Sequence, residues 1–279
     1  MKLLSRVEPV YLPEPDQTSV LRLGLQTLAD ADWILVDADL PKFHEHKQKL
    51  LLQHADLVSL SLPGSAAAQQ EFGQALLQNL ITHHADTYKM EDSCLNYCND
   101  LLRWPLHAMD LQHSTLWVQE DICLLQAKDN EYILTAASVC SPSNWQLEKK
   151  IGRSIDVIHG PVPGYRHSIA ERVNRMLAGL RPGKAVQRFN WSVQTGNELF
   201  WREDLELQDP ASSSFVPELH WRVERQTLMR LPQTGAIVFG IRIFLHSFTR
   251  MRQLPAFETA LRNIIARLPQ DQKKYKGLS

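Results

Sequence analysis

One stretch toward the C-terminal end constrains the fold more than any other. Residues 219–231 and 236–244 are two strand-like runs separated by Pro232-Gln233-Thr234-Gly235, a connection that suits a hairpin. Residues 122–127 and 132–140 repeat the arrangement around Lys128-Asp129-Asn130-Glu131, and 186–193 reads as a further strand. Short connections join antiparallel neighbours, whereas parallel strands need crossovers of about a dozen residues or more. Helical periods stand apart from these runs: residues 168–180, stopped by Arg181-Pro182-Gly183, and residues 255–268. Upstream of about residue 115 the pattern is helical and loop-rich. A loose helical pattern runs through Val20, Leu21, Leu23, Leu25 and Leu28 behind Asp16-Gln17-Thr18-Ser19, which supplies N-cap residues. A short apolar run, Trp33-Ile34-Leu35-Val36, precedes a helix from about 42 to 54, and another helix spans 66–82 behind Pro63-Gly64-Ser65; residues 85–115 show no clear period. The expectation is an α+β fold. It forms a single domain over residues 1–279, helical and loop-rich to about 115 and strand-rich from 116, with no linker that would divide it.

Thirty basic side chains stand against thirty-one acidic ones, for a net charge of -1. That balance gives no overall electrostatic case for nucleic acid or an anionic membrane. The longest apolar run, 236–244, is interrupted by Arg242 and falls far short of the roughly 20 residues of a membrane span. The opening residues lack the apolar core of a secretory signal, and four cysteines are too few for a disulfide framework. These features imply a cytoplasmic protein.

The familiar nucleotide-binding, zinc-peptidase and serine-hydrolase motifs are absent. Cys94 and Cys98 are one helical turn apart and, like Cys123 and Cys140, read first as packing thiols. His44-Glu45-His46 and His83-His84 lie in polar helical stretches, where residues one or two apart do not face each other, so both read as solvated surface. His159 differs. It sits in Ile158-His159-Gly160-Pro161-Val162-Pro163-Gly164-Tyr165, where two prolines and two glycines set the backbone. A ring held in a set direction suits an axial ligand of haem iron, and it equally suits a histidine bonded to its own loop. On the strand 219–231, Trp221, Val223, Arg225, Thr227 and Met229 share one face, and His220, Arg222, Glu224, Gln226 and Leu228 the other. Arg225 interrupts the more apolar face and needs a partner, either a protein carboxylate or an anionic ligand such as a haem propionate. Glu224 reads most simply as a cross-strand ion-pair partner, and Trp191 as a core residue before a cofactor-stacking one.

Several blocks occur in order: Val118-Gln119-Glu120-Asp121-Ile122, Ser141-Pro142-Ser143-Asn144-Trp145, Lys150-Ile151-Gly152, Ile158-His159-Gly160-Pro161-Val162-Pro163, Arg188-Phe189-Asn190-Trp191, Arg222-Val223-Glu224-Arg225-Gln226-Thr227-Leu228, Arg230-Leu231-Pro232 and Tyr275-Lys276-Gly277. Together they resemble the haem-dependent oxidative N-demethylase family, whose bacterial members include the haem subunit of dimethylamine monooxygenase. The likeness runs from about 118 to 277, with a weaker N-terminal match from Trp33 to Asp39. It implies a PAS-like antiparallel sheet with surrounding helices and a non-covalent haem b. It also implies a monooxygenase component that removes a methyl group from a small secondary alkylamine with O2, releasing formaldehyde. Electrons must then come from a separate flavin/iron–sulfur reductase chain, because no such module is visible. The resemblance makes His159 the axial ligand and Arg225 a propionate contact, with Arg222, Arg230 and Trp191 as further cofactor-binding candidates. Glu224 is the candidate carboxylate for an ammonium group. A non-catalytic haem or small-ligand sensor and a structural subunit of an amine-oxidising complex are the alternatives.

Overall fold

The computed structural model describes residues 11, 12, 14, 19–202, 204, 205 and 218–278. Its strands are β1 (Gln26–Thr27), β2 (Ser59–Ser61), β3 (Tyr88–Glu91), β4 (Cys94–Tyr97), β5 (Leu102–Pro105), β6 (Asp121–Lys128), β7 (Glu131–Ser138), β8 (Val186–Thr195), β9 (Leu219–Arg230) and β10 (Ile237–Ser247). The helices are α1 (Leu40–Val58), α2 (Ala66–His83), α3 (Leu111–Ser114), α4 (Ile155–Ile158), α5 (Tyr165–Ser168), α6 (Ala170–Ala178), α7 (Phe248–Met251), α8 (Pro255–Arg267) and α9 (Gln270–Tyr275). The fold is α+β. Among the described residues no helix is long and apolar enough to cross a membrane.

The two hairpins read from the sequence, β6–β7 and β9–β10, pair side by side in one sheet of order β1-β8-β9-β10-β6-β7-β2. The β9–β10 ladder runs from Arg230↔Ile237 to His220↔Ser247, and β8 pairs with the other edge of β9 from Leu228↔Val186 to Leu219↔Thr195. Residues directly opposite share a face, so the alternation of β9 propagates across the sheet. On one face, Trp221 and Val223 pack with Phe257 and Ile264 of α8, while Met229 joins Trp33, Phe72 and Leu76. On the other, Cys123, Leu125, Leu228 and Ile237 pack with Ile155 of α4 and Leu177 of α6. Both faces are covered.

Three expectations change. Residues 20–28 are not helical: β1 pairs with β8 (Gln26↔Gln187), Leu28 N donates to Ala185 O, and Asp16, Gln17 and Thr18 lie outside the described residues. Adding an edge to the sheet outweighs a weak helical pattern without a strong apolar stripe. The helix placed over 168–180 begins only at Ala170, because Ile169 at φ -138° and ψ -15° separates it from the single turn α5. Residues 85–115 contain a second sheet, β3-β4-β5, with Tyr88 and Tyr97 stacked edge to face in its core. Four-residue strands carry too little period to read, and left-handed Asp92 and Ser93 (φ 49° and 59°) make a turn without glycine.

The chain end covers the exposed edge of β8. Val193 N donates to Lys276 O at 2.8 Å, and Gly277 turns away at φ +73°, where a Cβ would collide with Val193 O. Only glycine takes that conformation at such an approach without strain. Gly277→Ala is therefore expected to cost about 1–3 kcal/mol and to speed amide exchange at Val193 while β9 and β10 stay protected. Denaturant unfolding with residue-resolved hydrogen exchange checks both; unchanged exchange at Val193 contradicts the tail's role.

Candidate functional site

His159 ends the one-turn helix α4 as its C-cap, and its Nδ1 lies 2.9 Å from Ile155 O. A carbonyl can only accept, so Nδ1 carries the proton and Nε2 of the neutral ring carries the lone pair. Tyr165 stacks on the ring at 4.8 Å, nearly parallel. That tyrosine is held in turn: its hydroxyl donates to Asp156 Oδ1 at 3.2 Å, and Asn174 Nδ2 reaches both oxygens of Asp156. Gly164, at φ +78°, permits the reversal that brings Tyr165 back over His159. Burial lowers the His159 pKa; the Ile155 carbonyl and Asp156 oppose this, while the nearby charges of Arg188 and Lys150 reinforce it. The imidazole is kept neutral and oriented.

Ile155 and Ile158 place this segment over the sheet face of Leu125, Leu228 and Ile237. By register, that face of β8 and β9 also carries Arg188 (opposite Gln226), Asn190 (opposite Glu224) and Ser192 (opposite Arg222). Glu224 Oε2 accepts from Asn190 Nδ2 at 3.0 Å and Gln226 Nε2 at 2.8 Å, and Oε1 is 3.7 Å from Arg222 Nε. Burial alone would raise the Glu224 pKa, but Arg222, Asn190, Lys276 and Gln226 together bring it below the usual value. Arg222 is fully buried and donates to Gln194 Oε1 at 3.1 Å and Ser141 O at 2.5 Å. Lys276 Nζ donates to Asn190 Oδ1 at 2.6 Å and Trp191 O at 2.7 Å, and burial pushes its pKa down to about 7. Arg230 caps the end of α6 through Leu177 O and Leu180 O and also reaches Tyr132 Oη.

The structure does not gather every candidate residue here. Arg225 points from the opposite face of β9, donating to Gln187 Oε1 at 2.7 Å, Trp33 O at 3.3 Å and Asp32 O. It thereby anchors the Trp33–Val36 segment, whose Leu35 N is held by Glu120 Oε1 at 3.0 Å. Trp191 shares Arg225's face, stacking on Trp221 at 4.7 Å inside the α8 core. His159, Arg222, Glu224 and Arg230 therefore stand on one side of the sheet, and Arg225 and Trp191 on the other.

The residue missed in the sequence is Arg188. Residues 186–193 alternate, with Arg188, Asn190 and Ser192 on one face and Phe189, Trp191 and Val193 on the other. That signal was available, but it acquires meaning only when β9 and α4 are brought alongside. The two histidine pairs also change. His44 is buried and accepts from Trp104 Nε1 at 3.0 Å, and His46 Nε2 donates to Cys140 O at 2.6 Å; both face inward from α1 rather than to solvent. His84 is half-buried, and only His83 of that pair is exposed.

Residues 24–279 match the family model for haem-dependent oxidative N-demethylase, alpha subunit-like. The chain belongs to this family. The residues present fit the cofactor that the family name states. A neutral histidine offers an oriented Nε2, and Arg188 on the same face has a buried Nε with no hydrogen-bond partner among the described residues. In this N-demethylase-like chain the clefts lined by Leu219 and Phe248, and by Gln126 and Ile133, involve none of these side chains.

Two outcomes follow from this geometry. Arg225→Leu strands the carbonyls of Asp32 and Trp33 and should destabilise the protein by about 1–3 kcal/mol, measured by denaturant unfolding; unchanged stability contradicts its anchoring role. Lys276 titrates near 7 in the folded chain but near the ordinary lysine value when unfolded. Between those values the unfolded state binds more protons, so this group's contribution to stability rises with pH from about 7 upward and is least favourable below it. The difference in unfolding free energy between wild type and Lys276→Met should therefore shift in favour of wild type from pH 7 to 10. A pH-independent difference rules out the depressed value.

Proposed function

We propose that this chain is the haem-binding component of an oxidative N-demethylase, with His159 Nε2 as the axial ligand of a non-covalently held haem b. The observation that carries the reading is the Nδ1–Ile155 carbonyl bond, which sets tautomer and direction in a chain of a haem-dependent family. A hydrogen bond from the other ring nitrogen to a backbone carbonyl is what metal-binding histidines generally use. No Cys-x-x-Cys-His attachment motif occurs in the sequence, in keeping with non-covalent binding. The PAS-like character of the sheet belongs to the same reading.

When bound, the haem supplies O2 binding and activation. The chain's own residues orient and desolvate. Tyr165 and the Ile155 carbonyl fix the imidazole plane, and burial keeps that ring unprotonated. Arg222, Asn190 and Gln226 engage the Glu224 carboxylate, so it acts here as a balancing charge for Arg222 and Lys276. The substrate is a small secondary alkylamine such as dimethylamine. Each turnover consumes an O2 molecule, a pair of electrons and a pair of protons, and releases formaldehyde, water and the amine short of one methyl group. The electrons come from a separate flavin/iron–sulfur reductase, a division of labour that an alpha-subunit description supports.

The purified protein with haem should show a Soret band, and His159→Ala should abolish stable haem binding or move that band in the ferric and ferrous–CO forms. A full-occupancy spectrum unchanged by His159→Ala removes His159 as the ligand and turns attention to His220. Formaldehyde release from dimethylamine with a supplied reductant then separates a demethylase from a haem sensor.

A further inference from the structure

Three arginines of the central strands, Arg188, Arg222 and Arg242, have a buried Nε without a hydrogen-bond partner among the described residues. Two of them are otherwise well held. Arg222 donates to Gln194 and Ser141 and has Glu224 within 3.7 Å. Arg242 pairs with Asp37 at 3.0 Å, donates to Ile243 O and lies over the Phe43 ring at 4.1 Å. Arg188 has neither an ion pair nor a hydrogen bond among the described residues. Glu224, the carboxylate whose field reaches it, is already engaged by Arg222, Asn190 and Gln226. Arg188 as a whole is half-buried, but its Nε is enclosed and unpartnered among the described residues, with the phenols of Tyr11 and Tyr275 as the other groups whose field reaches it. An enclosed cationic donor without an acceptor is costly, and an anion can complete it.

Its place is specific. Arg188 follows Val186 by two residues on the same face of β8, and Val186 packs into the cluster that includes Ile155 and Ile158 of the His159 segment. Its charge lies near enough to His159 to act on that imidazole. Arg225 has the same chemistry but lies on the opposite face with carbonyl and amide partners.

Resting on the haem reading above, we infer that Arg188 is the anchor for a carboxylate of the cofactor, on the face that presents His159. It is a positioning residue that sets how the porphyrin's carboxylate edge is turned relative to the imidazole. Glu224 does not depend on it for charge balance, because Arg222 and Lys276 also face that carboxylate.

The test compares ferric protoporphyrin IX with its dimethyl ester, which lacks the anionic carboxylates, by titrating the full-length apoprotein and following the Soret band. Wild type should bind the ester about ten- to a hundredfold more weakly, the value of one charge-assisted contact. Arg188→Leu should weaken haem by a similar factor and bind both porphyrins nearly alike, while Arg188→Lys keeps part of the preference. Denaturant unfolding of the apoprotein should show Arg188→Leu at least as stable as wild type, because the substitution removes an unpaired buried donor. A lower apoprotein stability or failure to fold assigns Arg188 a structural role and overturns the inference. So does an Arg188→Leu variant that retains the wild-type preference for the free acid. If haem binds and His159→Ala alters the spectrum while Arg188→Leu changes nothing, the axial reading stands and the anchor falls. Absence of a Soret band in wild type overturns both.

Discussion

A sheet covered on both faces leaves little water for the charged side chains of its central strands, and that constraint organises the molecule. Strands β8, β9 and β10 carry Arg188, Arg222, Glu224, Arg225, Arg230 and Arg242, and α8 on one side and α4–α6 on the other close over the sheet. Each buried cation needs acceptors brought from elsewhere in the chain. Arg225 takes the carbonyls of Asp32 and Trp33, Arg230 those of Leu177 and Leu180, and Arg242 the Asp37 carboxylate. Lys47, buried in α1, takes the carbonyls of Thr115, Val118 and Glu120 by the same device. These bonds do more than neutralise charge. They tie loops, short 3-10 turns and the end of α6 to the sheet and to α1.

Against that background, the face under α4–α6 is chemically distinct. It holds a histidine with a defined tautomer, an enclosed carboxylate, a lysine with a strongly depressed pKa and one arginine short of partners. On the opposite face Trp191, Trp221 and Phe257 stack, and the buried Arg225 and Arg242 are held by the Asp32 and Trp33 carbonyls, Gln187 and the Asp37 carboxylate. The two covered faces therefore differ in kind, with His159, Glu224 and Arg188 together on one and the aromatic stack of α8 on the other. Residues one step apart in sequence fall into different environments, as Glu224 and Arg225 do.

The C-terminal Lys276-Gly277 connects the two roles. Its backbone closes the β8 edge at Val193, which would otherwise present unpaired groups to other chains. Its side chain reaches Asn190 and, through it, Glu224. A segment that reads as a tail in the sequence thus completes both the sheet and the charge balance of the candidate site.

How much was legible in the sequence depends on the range of the interaction. The hairpins β6–β7 and β9–β10 and the helices α2 and α8 were readable, because period and turn residues act locally. So was the family, because its blocks recur in order along the chain. His159 was singled out because the glycines and prolines around it restrict the backbone wherever the segment lies. The partners of the charged residues were not legible. Arg225 meets carbonyls 192 and 193 positions away, and Lys276 meets a strand 86 positions upstream. Periodicity showed that Arg225 and Glu224 point to opposite faces, but not which face lies beneath His159, since that is set by where α4 packs. The small sheet β3-β4-β5 and the strand β1 escaped for a related reason: strands this short owe their existence to neighbours and not to their own period. Local physics determined the elements, and only the closing of helices over both faces of the sheet decided which charges were paired and left Arg188 without an ion pair or hydrogen bond among the described residues.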